Sequence, residues 1–411
     1  MFMPQRDVPA ARVPELDGLR GLAILLVLAW HYLAVSLGPG AGLPGSLLQR
    51  LLGTAWSGVD LFFVLSGFLI GGILLDQRDS PDLFKTFYLR RLCRIFPLYF
   101  IWVLLFVLLL WTAPQLVARG PLDQLFEPSL PLWSYLTYTQ NIVMASSGSF
   151  GPHWLGITWS LAVEEQFYLV LPLIVVFFPL KKLPYLLAAL IASAPVLRLL
   201  LFNFYPGAGL AAYVLMPCRA DALLLGVLGA YLLRAERPAR MIREHRKALC
   251  GALAVLFAGI VALTLRTPAP GSRGMTLFGY TWIALFYSCL VLLAATGRDG
   301  IISRLTRASP LRKLGLISFG LYIFHQALNW LCHGLILGRS PHIEDIAGLL
   351  TTMLALGLTV GLAALSWRYF EKRFVALGHS FRYERRGADS PAVRSLDSVP
   401  LENERLTGAV L

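Results

Sequence analysis

The chain has 411 residues, of which 57% are hydrophobic and only 14% charged, with a formal net charge of +13. A soluble protein carries about 25% charged residues, so these proportions exclude an ordinary soluble domain. Apolar runs near 20 residues recur along the chain, the length of a spanning helix and not of a barrel strand, so the class is an all-α polytopic bundle.

The first apolar stretch, Gly21 to Leu37, follows Glu15-Leu16-Asp17-Gly18-Leu19-Arg20 and contains His31. Ionisable groups in hydrocarbon cost several kcal/mol unless paired or functional. Arg20 and His31 are 11 residues apart, which on an α-helix is about three turns plus 20°. They therefore share a face, roughly 16 Å apart along the axis. Arg6 and Arg12 ahead of this run resemble the start of a signal peptide. With two ionisable interruptions and no small-residue cleavage site, the run is expected to remain as the first helix.

Ten spans follow in order, at about 16–37, 57–76, 92–112, 159–179, 184–200, 211–233, 248–266, 276–296, 314–337 and 346–366. Leu132 to Met144 is too short and polar to cross, and its Trp133, Tyr135 and Tyr138 suit an interfacial or re-entrant segment. Counting Arg94 and Arg266 at the span edges, the loops after spans 2, 4, 6 and 8 hold 18 Lys and Arg, against 5 in the loops after spans 1, 3, 5, 7 and 9. The positive-inside rule then places both termini in the cytoplasm. The basic excess is a topology signal, and nucleic-acid binding is not expected. Residues 1–15 are expected to form a cytoplasmic N-terminal segment, 16–375 the bundle, and 376–411 a disordered cytoplasmic tail.

Topology sets depth. Arg20 falls near the cytoplasmic face, and His31 in the outer half, at the depth expected for Glu164 and Glu165 of the fourth span. Adjacent carboxyls diverge by about 100°, so one of the two glutamates is expected to face the histidine. A carboxylate-poised imidazole takes a proton from a hydroxyl nucleophile; the same residues also suit a packing knot or a transporter's proton path. Asp60 adds an outer-side carboxylate at the start of the second span. Arg90, Arg91 and Arg94 open the third span at spacings of three and four, a cluster suited to phosphates or to lipid headgroups. Arg219 and Asp221 diverge on the sixth span and are each expected to pair with another span. In the ninth span Tyr322 and His325 share a face, His325 being a second candidate base or a packing histidine. The cysteines at 93, 218, 250, 289 and 332 stand singly without metal-ligand spacing, so no metal is expected.

Taken together, the chain resembles the acyltransferase-3 family of integral membrane acyltransferases. The resemblance rests on Leu16-Asp17-Gly18-Leu19-Arg20-Gly21 with His31, on Gly58-Val59-Asp60 through Ser66-Gly67-Phe68, and on Arg90-Arg91 through Arg94-Ile95-Phe96-Pro97-Leu98-Tyr99. It continues through Trp159-Ser160-Leu161 to Glu164-Glu165-Gln166-Phe167-Tyr168, Ser318 through Tyr322 to His325, and Trp367-Arg368-Tyr369-Phe370-Glu371. It implies an acyl group, usually acetyl, taken from cytoplasmic acyl-CoA and passed to a carbohydrate hydroxyl. It assigns Arg20 with His31, and the Arg90–Arg94 cluster, to the family's functional motifs. The expected site therefore has His31, Glu164 and Glu165 in catalysis, Arg20, Arg90, Arg91 and Arg94 on acyl-CoA, and Asp60, Tyr168, Tyr322 and His325 toward the acceptor. That acceptor is expected to be a cell-envelope or lipid-linked glycan, with a glycosylated small molecule such as a macrolide as the alternative. The expected location is a bacterial inner membrane, in contact with its lipids. The rival class is a transporter or flippase for a glycan or acylated substrate.

Overall fold

The computed structural model describes residues 13–37, 48–50, 52–114, 120–127, 130–266, 270–297 and 300–384. Residues 1–12 of the expected N-terminal segment and 385–411 of the expected tail lie outside these. Ten helices carry the architecture: α1 (Pro14–Ala29), α2 (Gly58–Asp76), α3 (Leu83–Thr112), α4 (Trp159–Phe177), α5 (Leu183–Phe204), α6 (Met216–Arg234), α7 (Arg246–Arg266), α8 (Tyr280–Thr296), α9 (Ser318–Ile336) and α10 (Ile346–Ser366). Among the described residues the extended pairing amounts to one bridge, between Leu37 and Ile343. The chain is a polytopic helical bundle.

Nine apolar helical segments among the described residues are long enough to cross a membrane, and they account for every one of the ten except α9. With 19 residues, α9 rises about 28 Å, enough for the hydrocarbon core. Its sequence is interrupted by His325, Gln326, Asn329 and His333, and three of these are buried against neighbouring helices. A polar helix is tolerated at membrane depth where protein, not lipid, surrounds it.

Pro14 sits in the first turn of α1, where its missing N–H costs nothing, and Glu15 and Asp17 complement the helix dipole there. At its other end α1 widens into a π turn, Trp30–Ala34, closed by the Val35 N–H on the Trp30 carbonyl at 2.9 Å. Single π turns of this kind mark functional positions more often than chance; this one carries His31.

Two ion pairs fix the middle of the bundle. Arg219 of α6 meets Asp60 of α2 at 2.5 Å, and Arg198 of α5 meets Asp221 of α6 at 3.0 Å, all four side chains being almost fully buried. Arg219 also lies 4.0 Å above the Tyr280 ring. Glycines bring α2 and α6 into backbone contact, since a Cβ at Gly67 would stand 1.8 Å from the Leu223 carbonyl oxygen.

Several elements differ from the sequence expectation. α3 begins at Leu83, nine residues before the expected 92, because the basic juxtamembrane stretch continues the same helix. The sixth span is broken: Ala208–Val214 ends at an extended Leu215, and Pro217 then opens α6. Leu132–Met144 folds as two short helices, Leu132–Leu136 and Gln140–Ser147. Between them Tyr138 has φ of 53°, uncommon outside glycine, and its ring stacks on Tyr99 at 4.5 Å. The last helix continues through a second π turn, Trp367–Glu371, into Lys372–Ser380. Residues 376–384, expected in a disordered tail, are thus partly helical. Phe381–Glu384 then lies along the start of α3 through bonds to Ser80, Asp82 and Arg90.

Candidate active site

Arg91 and Arg94 lie one turn apart at the start of α3, and both reach a cavity of about 110 Å³ between α1, α2, α3, α4 and α9. Arg20 of α1 lines it too, with Glu164 and Tyr168 from α4 and Tyr322 from α9. Residues 144 positions apart in sequence thereby share one chamber, as in the case of Arg20 and Glu164. None of Arg20, Arg91 and Arg94 forms an ion pair with the described residues. Three guanidiniums share this partly enclosed space with one carboxylate, Glu164, so positive charge is in excess there and suits an anion. Planar guanidinium forks suit phosphate in particular.

Arg90 is elsewhere. One residue from Arg91, it points about 100° around the helix. Its Nε and Nη2 donate to the Phe381 carbonyl at 2.9 and 2.6 Å, and its guanidinium lies 4.7 Å from the Tyr383 ring centroid.

The two glutamates also separate. Glu164 lines the cavity facing the arginines. Beside it, the Ser66 and Tyr168 hydroxyls are hydrogen-bonded at 2.5 Å. Glu165 turns toward Tyr99 and Tyr138, and its buried Oε1 has no hydrogen-bond partner among the described residues. Neither carboxylate bonds to His31, so the expected glutamate–histidine pair does not form.

His31 instead meets another imidazole. Its Nδ1 lies 3.0 Å from the Val27 carbonyl and 3.3 Å from His325 Nε2. His325 Nδ1 in turn lies 2.7 Å from the Tyr322 carbonyl. The His325 ring packs 5.7 Å from that of Tyr322, whose hydroxyl donates to the Ile157 carbonyl and bonds Ser160 at 2.7 Å. Tyr322 lines the cavity and His31 does not. The histidine pair thus adjoins the cavity through Tyr322, whose ring also meets that of Phe62 edge-on at 6.3 Å.

Asp60, expected toward the acceptor, is committed to Arg219 in the bundle centre and does not line the cavity. Depth was readable from the sequence, but azimuth was not. Ser66, Ser160 and Phe62 line the cavity and were not singled out, although each stands inside a quoted motif. Glu371, within electrostatic reach of Arg94 and accepting from the Ser366 hydroxyl at 2.7 Å, likewise stands outside the expected site. Among the described residues no group of three or more His, Cys, Asp or Glu is placed to hold a metal ion.

A helical membrane bundle whose internal chamber gathers arginines, a glutamate and tyrosines has the makeup of a membrane enzyme's site. The family assignment sharpens this. The acyltransferase-3 family's acyltransferase-domain sequence model matches residues 13–368, and the chain belongs to that family. The peptidoglycan O-acetyltransferase OatA of Listeria monocytogenes is 28% identical over 380 residues, covering 87% of this chain and 55% of that protein. The O-acetyltransferase OatA of Staphylococcus aureus is 25% identical over 372 residues, covering 87% and 56%. A putative O-acetyltransferase of S. aureus is 25% identical over 376 residues, covering 88% and 57%. The chain thus spans a little over half the length of these relatives. No solved structure matches it.

Proposed function

We propose that this protein is a bacterial cytoplasmic-membrane O-acyltransferase that moves an acetyl group from cytoplasmic acyl-CoA to a hydroxyl of a cell-envelope carbohydrate. The observation that carries this reading is the set of Arg20, Arg91 and Arg94, three arginines in one cavity without an ion-pair partner among the described residues. Relatives named as O-acetyltransferases, one of them acting on peptidoglycan, favour acetyl and a cell-wall glycan.

In this reading the phosphates of acyl-CoA sit against the three guanidiniums, at the face where the positive-inside rule puts the cytoplasm. The thin pantetheine arm runs along α1 past Phe62 and Tyr322, across the roughly 16 Å of helix separating Arg20 from His31. There His31 takes the proton of the acceptor hydroxyl as its oxygen attacks the thioester carbonyl. The C–S bond breaks, and the departing thiolate takes that proton back from His31, leaving an ester and free CoA. Membrane burial excludes water, which would otherwise compete for the thioester.

The test uses purified protein in lipid nanodiscs with acetyl-CoA and glycan fragments. His31→Ala is expected to lower kcat at least 100-fold while the protein still accumulates in the membrane, general-base loss costing about 10²–10⁴. Arg94→Ala is expected to raise the KM for acetyl-CoA at least tenfold and leave the acceptor KM within twofold. Full activity in His31→Ala, or an unchanged donor KM in Arg94→Ala, overturns the corresponding role.

A further inference from the structure

The partners of the two imidazoles fix where their protons lie. A carbonyl oxygen only accepts, so the contact of His325 Nδ1 with the Tyr322 carbonyl at 2.7 Å places a proton on that nitrogen. His325 Nε2 is then a lone pair, aimed at His31 Nδ1 3.3 Å away. His31 Nδ1 also contacts the Val27 carbonyl at 3.0 Å, so it too carries a proton, shared between two acceptors. His31 Nε2 is left unprotonated. The ring nitrogen without a partner among the described residues is therefore the basic one.

The same π turn fixes the geometry from a second direction. Tyr32, next to His31, donates its hydroxyl to the His325 backbone carbonyl at 2.8 Å and bonds Thr359 of α10 at 2.8 Å. His325 itself is fully buried, whereas His31 is half-buried. One histidine is thus held inside the protein with its lone pair presented, and the other is left accessible. Orientation of a base by a third group is the logic that an aspartate supplies in hydrolytic triads. Here the acceptor is neutral, which suits a membrane interior where an unpaired carboxylate is costly.

We propose that His325 is a positioning residue: its Nε2 accepts the Nδ1 proton of His31, holds that ring with Nε2 free for the substrate, and steadies the imidazolium formed when Nε2 takes the hydroxyl proton. No proton leaves the pair, and His325 keeps its own Nδ1 proton on the Tyr322 carbonyl throughout. This rests on His31 being the base. The titratable groups facing His31 are His325 from α9 and His153 from the segment before α4. His153 accepts at Nδ1 from the Gln326 amide at 3.0 Å.

The experiment compares the wild type with His325→Leu and His325→Gln, full-length and in nanodiscs, by two readouts. The first is ¹⁵N NMR of histidine-labelled protein, with the His31 signals identified by their loss in His31→Gln. Wild-type His31 is expected to be neutral with its proton on Nδ1, the minority form in water, and His325 likewise. The second is the pH dependence of acetyl transfer. His325→Leu is expected to lower kcat at least tenfold with the donor KM within twofold, and to move the acidic limb to lower pH because the imidazolium has lost an acceptor. His325→Gln, whose amide oxygen accepts the same proton, is expected to return the limb toward the wild-type position. A His31 proton on Nε2 in the wild type overturns the proposal, as does an acidic limb that coincides in all three proteins. If His325→Leu does not accumulate, the wild-type spectrum alone decides. An active His31→Ala would remove the base itself and leave the spectroscopic result standing, so the two failures are distinguishable.

Discussion

Asp60 and Arg219 are 159 residues apart in sequence and meet at 2.5 Å with almost no solvent contact. Removing one member of such a pair leaves a buried charge uncompensated, which costs about 3–5 kcal/mol, whereas replacing both with apolar groups of similar size is often neutral. Asp60→Ala is therefore expected to lower thermal stability in detergent by an amount of that order. Asp60→Leu with Arg219→Met is expected to recover most of the loss. Equal destabilisation by the single and double variants would show that the charges serve something other than each other. A sequence shows that Asp60 stands near a helix start, which fixes its depth, but not that Arg219 stands opposite. The same limit explains His31. Depth matched it to Glu164 and Glu165, and azimuth, set by packing and by the π turn at Trp30–Ala34, gave it to His325. Arg91 and Arg94 were legible because their spacing of three on one helix fixes azimuth locally.

At the level of elements, the C-terminal segment closes against the start of α3. Glu384 N–H donates to Asp82 at 2.9 Å, Ser80 donates to the Glu384 carbonyl at 2.8 Å, and Arg90 donates twice to Phe381. Arg90→Ala removes charged hydrogen bonds and a ring contact, each of the former worth about 1.5–3 kcal/mol. It is expected to speed trypsin cleavage near Arg382 and leave the donor KM within twofold, in contrast to Arg94→Ala. A donor KM raised as much as in Arg94→Ala would return Arg90 to the phosphate site. Burial pushes the Asp82 carboxyl up, but hydrogen bonds from Ser80, Thr86 and Glu384 outweigh it, and the group sits below its ordinary value. A depressed carboxyl stabilises the folded contact above the unfolded pKa, about 3.9, and that support fades as pH falls through the lower folded value. Hydrogen exchange at residues 381–384 is therefore expected to be slow at neutral pH and to speed up, after correction for intrinsic rates, only below about pH 4. The spans themselves were readable, since hydropathy counts residues in hydrocarbon. The juxtamembrane start of α3, the break at Leu215 and the π turns were not, because none of them alters that count.

The whole molecule is polarised along α1. Three arginines without ion-pair partners among the described residues face one chamber near its start, and His31 stands beyond its far end. A transporter would use both ends for one substrate, whereas an acyltransferase of this shape takes donor from one face and acceptor from the other. Proteoliposomes separate these possibilities once protein orientation is fixed by labelling a cysteine at either end of the bundle. Acetyl-CoA supplied at the Arg20 face, with a glycan fragment at the His31 face, is expected to give ester product only on the His31 side, with free CoA on the Arg20 side in equal amount. Donor and acceptor exchanged between the two faces are expected to give none. In the proposed site the donor is held mainly by charge on charge, so raising the salt on the Arg20 side from about 50 to 500 mM should raise the donor KM, while the same change on the His31 side should not. Product formed equally from either face, or glycan moving across without loss of the thioester, would show that α1 is not the track between two half-sites.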